Sequence, residues 1–170
     1  MPEIKRIGDL DISQDLDHQH RMWRVEHVGW GVMVLLVVAA LLGLLGPGPL
    51  SNTTAGEESA PLRATYGRFD RYKSPSQMTV HIGPALVHDG KVELSINRAF
   101  FDRVDLGQVD PEPVQVAAGP NWFIYTFAVA DASAPLEVRF HYEPGDAGPL
   151  RIAVAAPGAP PIRFTSFVYP

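Results

Sequence analysis

The sequence predicts an all-β, immunoglobulin-like antiparallel β-sandwich of about seven or eight strands, preceded by one N-terminal transmembrane helix. Three features predict it. Residues 28–46 form an uncharged apolar run, and apolar and polar residues alternate with period two beyond residue 62. Most of the 15 glycines and 16 prolines fall after residue 43, where they punctuate short segments. A chain of 170 residues has room for one ordinary domain beside an anchor, and not for two.

Residues 1–27 read as a cytoplasmic leader that is partly helical. They hold four basic and six acidic side chains among scattered apolar ones, a composition that cannot bury a core alone. Residues 14–27 continue the membrane helix on its cytoplasmic side, with Leu16, Trp23 and His27 near one face. The residues before them are expected to be extended or ordered only against a partner. His18, His20 and His27 do not form a metal site in this reading. Helical positions two apart point roughly 200° away from each other, and His20 and His27 stand about 10 Å apart along the axis.

Residues 28–46 read as the transmembrane helix. Nineteen residues at about 1.5 Å rise give roughly 28 Å, close to the hydrocarbon thickness of a bilayer. Gly46-Pro47-Gly48-Pro49 stops the helix, because proline lacks the amide proton a helix needs. Trp23 and Trp30 lie seven apart on one helical face and are expected to anchor it at the headgroup level. A cleaved signal peptide would carry a short basic leader, a shorter apolar stretch and a small-x-small cleavage site. Here the leader is long and rich in acids, and Thr53-Thr54-Ala55 matches a cleavage site poorly. Lys5, Arg6, Arg21 and Arg24 precede the run, and only Arg63 follows it closely. That asymmetry keeps the N-terminus in the cytoplasm and exports the rest. The expected location is the inner membrane of a bacterium, with the C-terminal domain periplasmic. Ala39 and Gly43 form a small-xxx-small pair that lets another helix approach closely.

Residues 47–61 are mostly Gly, Pro, Ser, Thr and Glu and read as a flexible linker. Residues 62–170 form the exported sandwich. Met78, Val80 and Ile82 alternate with Thr79 and His81. Val92, Leu94 and Ile96 alternate with Glu93 and Ser95, and Leu136, Val138, Phe140 and Tyr142 with Glu137, Arg139 and His141. Such strands have one face on a core and one in water. Asp89-Gly90 signals a type I′ hairpin pairing His88 with Lys91. Expected strands lie near 62–69, 78–87, 91–97, 113–118, 122–130, 136–143, 149–156 and 161–169. The stretch 122–129 is apolar on both faces, as a central strand would be. Arg98 to Val104 is expected to make a short helical turn capped by Asn97.

Chemistry is sparsely signalled. A net charge of -5 and a pI near 5.6 argue against nucleic-acid binding, which favours a basic face. The absence of cysteine removes disulfides, thiolate metal sites and thiol nucleophiles. His81, His88 and His141 fall on separate strands or a hairpin end, and Met78 points away from His81, so no metal is expected. No serine stands in a nucleophile elbow. Asp110-Pro111-Glu112-Pro113 reads as a stiff strand connector.

One surface signal stands out. Tyr66, Arg68, Phe69, Arg71, Tyr72 and Lys73 combine three cations with three aromatics just after the linker. Interface cores favour such residues. In the competing reading Tyr66 and Phe69 pack inward, and the cations are solvated or touch lipid headgroups. The sequence therefore points to a non-catalytic accessory or assembly subunit whose helix and sandwich pack on a larger envelope complex. Its partners are the lipid bilayer and an integral membrane protein, with no cofactor and no small-molecule ligand indicated. The alternative is a membrane-tethered ligand- or metal-binding domain, a sensor or carrier.

Overall fold

The structure, a computed structural model, describes residues 16–41 and 51–170. Expectations for the first fifteen residues, for Gly43 and the end of the apolar run, and for residues 47–50 lie outside the described residues. The chain divides into two units, Met1–Leu41 and Leu42–Pro170. The first contains one helix, α1 (Leu16–Leu41), which runs through the part of the leader expected to extend it. Within it Met22–Leu41 spans 20 residues of mean hydropathy 1.6, none of that stretch buried inside the protein. At about 1.5 Å per residue it is roughly 30 Å long.

The second unit is an immunoglobulin-like β-sandwich of eleven strands. In chain order they are β1 (Asn52–Ala55), β2 (Leu62–Gly67), β3 (Phe69–Arg71), β4 (Ser76–Ile82), β5 (Lys91–Asn97), β6 (Val104–Asp110), β7 (Gln115–Ala118), β8 (Trp122–Ala128), β9 (Leu136–Pro144), β10 (Gly148–Ala155) and β11 (Ile162–Tyr169). One sheet has the order β1-β2-β4-β9-β6 and the other β3-β11-β10-β5-β8-β7. Every pairing is antiparallel except that of β3 with β11.

The period-two pattern does what it should. Met78, Val80 and Ile82 of β4 meet Phe140, Val138 and Leu136 of β9, and Val92, Leu94 and Ile96 of β5 meet Phe127, Tyr125 and Phe123 of β8. These residues form one core in which most are fully buried. Each such side chain contributes on the order of 1.5–3 kcal/mol by leaving water. The hairpin forms as read: His88 and Lys91 exchange both backbone hydrogen bonds at 2.9 Å. Asp89 and Gly90 both take positive φ, 51° and 70°, as a type I′ turn requires.

Several expectations are corrected. The linker does not extend to residue 61, because β1 lies within it and pairs with β2. The strand expected at 78–87 ends at Ile82, where Gly83-Pro84 opens a 3₁₀ turn at Pro84–Leu86; proline cannot donate to a ladder. A strand, β6, occupies 104–110, where only connection was expected. It is an edge strand with a register shift between Leu106 and Val109, so it buries little and shows little alternation. The stretch Trp122–Ala128 is interior but second from the edge, between β5 and β7.

The short helix α2 (Arg98–Phe101) begins after Asn97, yet the Asn97 side chain makes no capping bond. Its amide instead donates to the Arg151 carbonyl at 3.2 Å and accepts from the Ala153 amide at 2.7 Å. It ties β5 to β10 where their ladder is only two residue pairs long. Phe100 on α2 closes the core, edge-on to Phe101 and Tyr142. Replacing Phe100 with Ala should destabilise the sandwich by about 3–5 kcal/mol, measured by denaturant unfolding of the detergent-solubilised chain. A loss under about 1 kcal/mol would contradict this account of the core.

Candidate functional site

The segment singled out from the sequence sits where one run of chain leaves one sheet and joins the other. β2 ends at Gly67, Arg68 makes the crossing, and β3 continues alongside β11. Backbone bonds hold the crossing on both sides: the Arg68 amide donates to the Ser51 carbonyl at 2.7 Å, and the Phe167 amide to the Arg68 carbonyl at 2.9 Å. At the far end the Tyr72 amide reaches the Tyr169 carbonyl and the Lys73 amide the Pro144 carbonyl, each at 2.9 Å. Lys73 takes a positive φ of 51° to do so.

Alternation along β3 sends Phe69 and Arg71 outward and Asp70 inward. Asp70 is 7% exposed. Its carboxylate accepts a hydrogen bond from the Ser166 hydroxyl of β11 at 2.6 Å and from the Tyr142 hydroxyl of β9 at 3.2 Å. One acid thus links strands of both sheets. Gly67 makes room for it, since a Cβ there would stand 3.1 Å from the Asp70 carboxylate. Burial pushes the Tyr142 hydroxyl well above the ordinary tyrosine value, and the neighbouring Asp70 charge adds to the rise.

The other residues of the segment divide. Tyr66 is half-buried and stacks on Phe164 with ring centroids 4.1 Å apart. Burial raises its pKa, against the opposing charge of Arg68. Phe69 and Tyr72 are exposed, and Phe69 lies beside exposed Phe167 in the parallel ladder. Arg68, Arg71 and Lys73 are exposed, with Arg68 bonded to Thr53 at 3.3 Å and Lys73 over the Tyr72 ring. The inward-packing reading therefore fits Tyr66 and fails for Phe69. A groove of about 620 Å³ runs beside the crossing, bordered by Tyr66, Asp70, Arg71, Gln77 and Thr79.

The exposed part of the arrangement is aromatic and basic, and the Tyr142 and Ser166 hydroxyls are held inside. Ser166 is fully buried, and its hydroxyl donates to Asp70 inside the core. His81 bonds Thr65 at 3.1 Å and Glu137 at 3.3 Å on the outer face of the other sheet. Among the described residues no three His, Asp or Glu side chains converge as metal ligands. On α1, Trp23 and Trp30 are exposed, and the Trp23 carbonyl accepts from His27 Nδ1 at 2.8 Å. Ala39 lies on the same helix.

Asp70, Phe167, Arg151 and Arg163 were not singled out from the sequence. The signal for Asp70 was the strand pattern itself, which puts a charge at an inward position between Phe69 and Arg71. For the others it was alternation along the last two strands, where Arg151, Arg163 and Phe167 occupy outward positions.

No family model matches the chain, and no curated protein matches it. Among solved structures it is similar to a cohesin module from a Clostridium perfringens family 33 glycoside hydrolase, with 10% identity and a TM-score of 0.40. The match covers 65% of this chain and 98% of that module.

Two outcomes follow from the buried acid. Asp70→Ala strands the Tyr142 and Ser166 hydroxyls and should cost about 2–4 kcal/mol, read by denaturant unfolding; a change within experimental error would remove Asp70 from this role. The raised Tyr142 pKa contributes stability that is complete below about pH 10, where tyrosine stays neutral in the unfolded chain too. It is lost as pH climbs from there through the folded-state value, because only the unfolded chain then gives up the proton. Stability against pH should thus fall at alkaline pH, and Tyr142→Phe should shallow that fall. An identical alkaline slope in the variant would rule the hydroxyl out.

Proposed function

We propose that this chain is a non-catalytic, single-pass subunit of a bacterial inner-membrane complex, with its N-terminus in the cytoplasm and its sandwich on the exported side. The observation that carries the reading is α1. Twenty consecutive residues, Met22–Leu41, have a mean hydropathy of 1.6, and none of that stretch is buried by the rest of the protein. An apolar surface of that extent does not persist in water, and its length suits a bilayer. The positive charges ahead of it set the orientation.

The partner reading rests on the anchor together with the recognition-type surface. An uncharged helix beyond residue 28 has no proton or ion pathway of its own, and Ala39 with Gly43 offers a smooth contact for a neighbouring helix. The sandwich supplies a rigid body beside an integral membrane protein, and assembly is its role.

Fractionation tests the anchor and detergent purification tests the partner. The full-length chain should remain with membranes through alkaline extraction, dissolve only in detergent, and bring an integral membrane protein with it in mild detergent. Two results would overturn the proposal: a soluble mature product beginning near Gly56, or a lone monomer in mild detergent.

A further inference from the structure

The geometry points to a lipid-docking face: the outer surface of β3, β11 and β10 rests on anionic phospholipid headgroups. This rests on the reading of α1 as a membrane anchor. Arg71 of β3, Arg151 of β10 and Arg163 of β11 are all exposed and point outward. Arg68 and Lys73 flank β3, and both are exposed. The only acid in the three strands is Asp70, which faces the core. The ion pairs among the described residues engage Arg98, Arg103, Arg139 and His81, and none of these five cations.

In a chain of net charge -5 this is a segregated field. The outer side of the opposite sheet carries Glu137 and Glu143 on β9 and Asp105 and Asp110 on β6, against Arg139 on β9 and Arg63 on β2. An anionic surface would attract the face of β3, β11 and β10 more strongly than the opposite one, which orients the domain. Phe69 and Phe167, 37% and 49% exposed, stand side by side among the cations. Exposed aromatic rings beside basic side chains are the composition of interfacial membrane contacts.

Covalent continuity selects lipid as the occupant. The sandwich begins at Ser51, ten residues after Leu41, and ten residues reach about 35 Å at full extension. Ser51 is bonded through its carbonyl to Arg68, and Arg68 through its own carbonyl to Phe167. The chain therefore enters the domain at the edge of this face. A basic surface held that close to a bilayer meets headgroups at high effective concentration, and each Lys or Arg near an anionic surface contributes about a fivefold preference.

The chain has no cysteine, so one introduced thiol labels one site. Thr165 lies outward on β11, beside Arg151 in the ladder, and Gln77 lies exposed on the opposite sheet. Full-length Thr165→Cys and Gln77→Cys, each carrying a nitroxide, are placed in vesicles of phosphatidylcholine alone or mixed with phosphatidylglycerol. A water-soluble nickel complex is present on both sides of the membrane. The label at 165 should be shielded from nickel only in the anionic vesicles, and salt should expose it again. The label at 77 should stay accessible in both. Arg163→Gln should lower the docked-to-undocked ratio about fivefold. Equal access at 165 in the two lipids overturns the docking. So does shielding at 165 in phosphatidylcholine alone, which would mean that a protein surface covers the face, or equal shielding at 77. A chain that floats with neither vesicle overturns the anchor, and the docking with it.

Discussion

The Asp70 carboxylate sits where a single run of chain belongs to both sheets, and the lateral closure of the sandwich depends on it. From Leu62 to Gly67 the run is a strand of one sheet, and from Phe69 to Arg71 it is the edge of the other. Such a crossing exposes backbone and separates the strands it leaves. Here the gap is filled by an acid that holds a tyrosine of β9 and a serine of β11. A buried carboxylate is unfavourable unless its oxygens find donors. Once found, those donors fix the distance between the two sheets at that corner. Gly67 is part of the same device, because a side chain there would push the carboxylate away.

What lies outside the corner follows from what lies within it. With Asp70 turned to the core, strand geometry turns Phe69 and Arg71 to solvent, and the parallel register places Phe69 beside Phe167. The aromatic and basic surface is thus the outer side of a structural solution. The opposite pair of edges, β6 and β7, has no such staple. There the chain keeps Leu106, Val114 and Val116 exposed and breaks the β6 ladder with a bulge. Such bulges discourage edge-to-edge pairing.

The helix and the sandwich place their apolar side chains in opposite ways. From Val28 to Leu41 α1 has no charged side chain on any face, and a helix satisfies its backbone internally, as a segment in lipid must. The sandwich collects its apolar residues between two sheets and, Asp70 apart, turns its charges to water.

Composition and periodicity alone determined the sandwich class, the Asp89-Gly90 hairpin, the inward residues of β4, β5 and β9, and the apolar helix. Each is a local property: period two, a turn demanding positive φ, or an uninterrupted apolar run. The same local patterns were silent on β1 and β6, since edge strands bury little and have little reason to alternate. They misassigned Asn97, whose cap position is a local feature, while its actual partners lie 54 and 56 residues away. Alternation signals an inward Asp70 and outward Arg151 and Arg163, but tertiary structure decided that Asp70 meets Tyr142 and Ser166, that Phe69 stands beside Phe167, and that Arg71, Arg151 and Arg163 share one face. Those outcomes depend on the register between strands 72 and 96 residues apart in the chain, and register is set by the packing of the whole core.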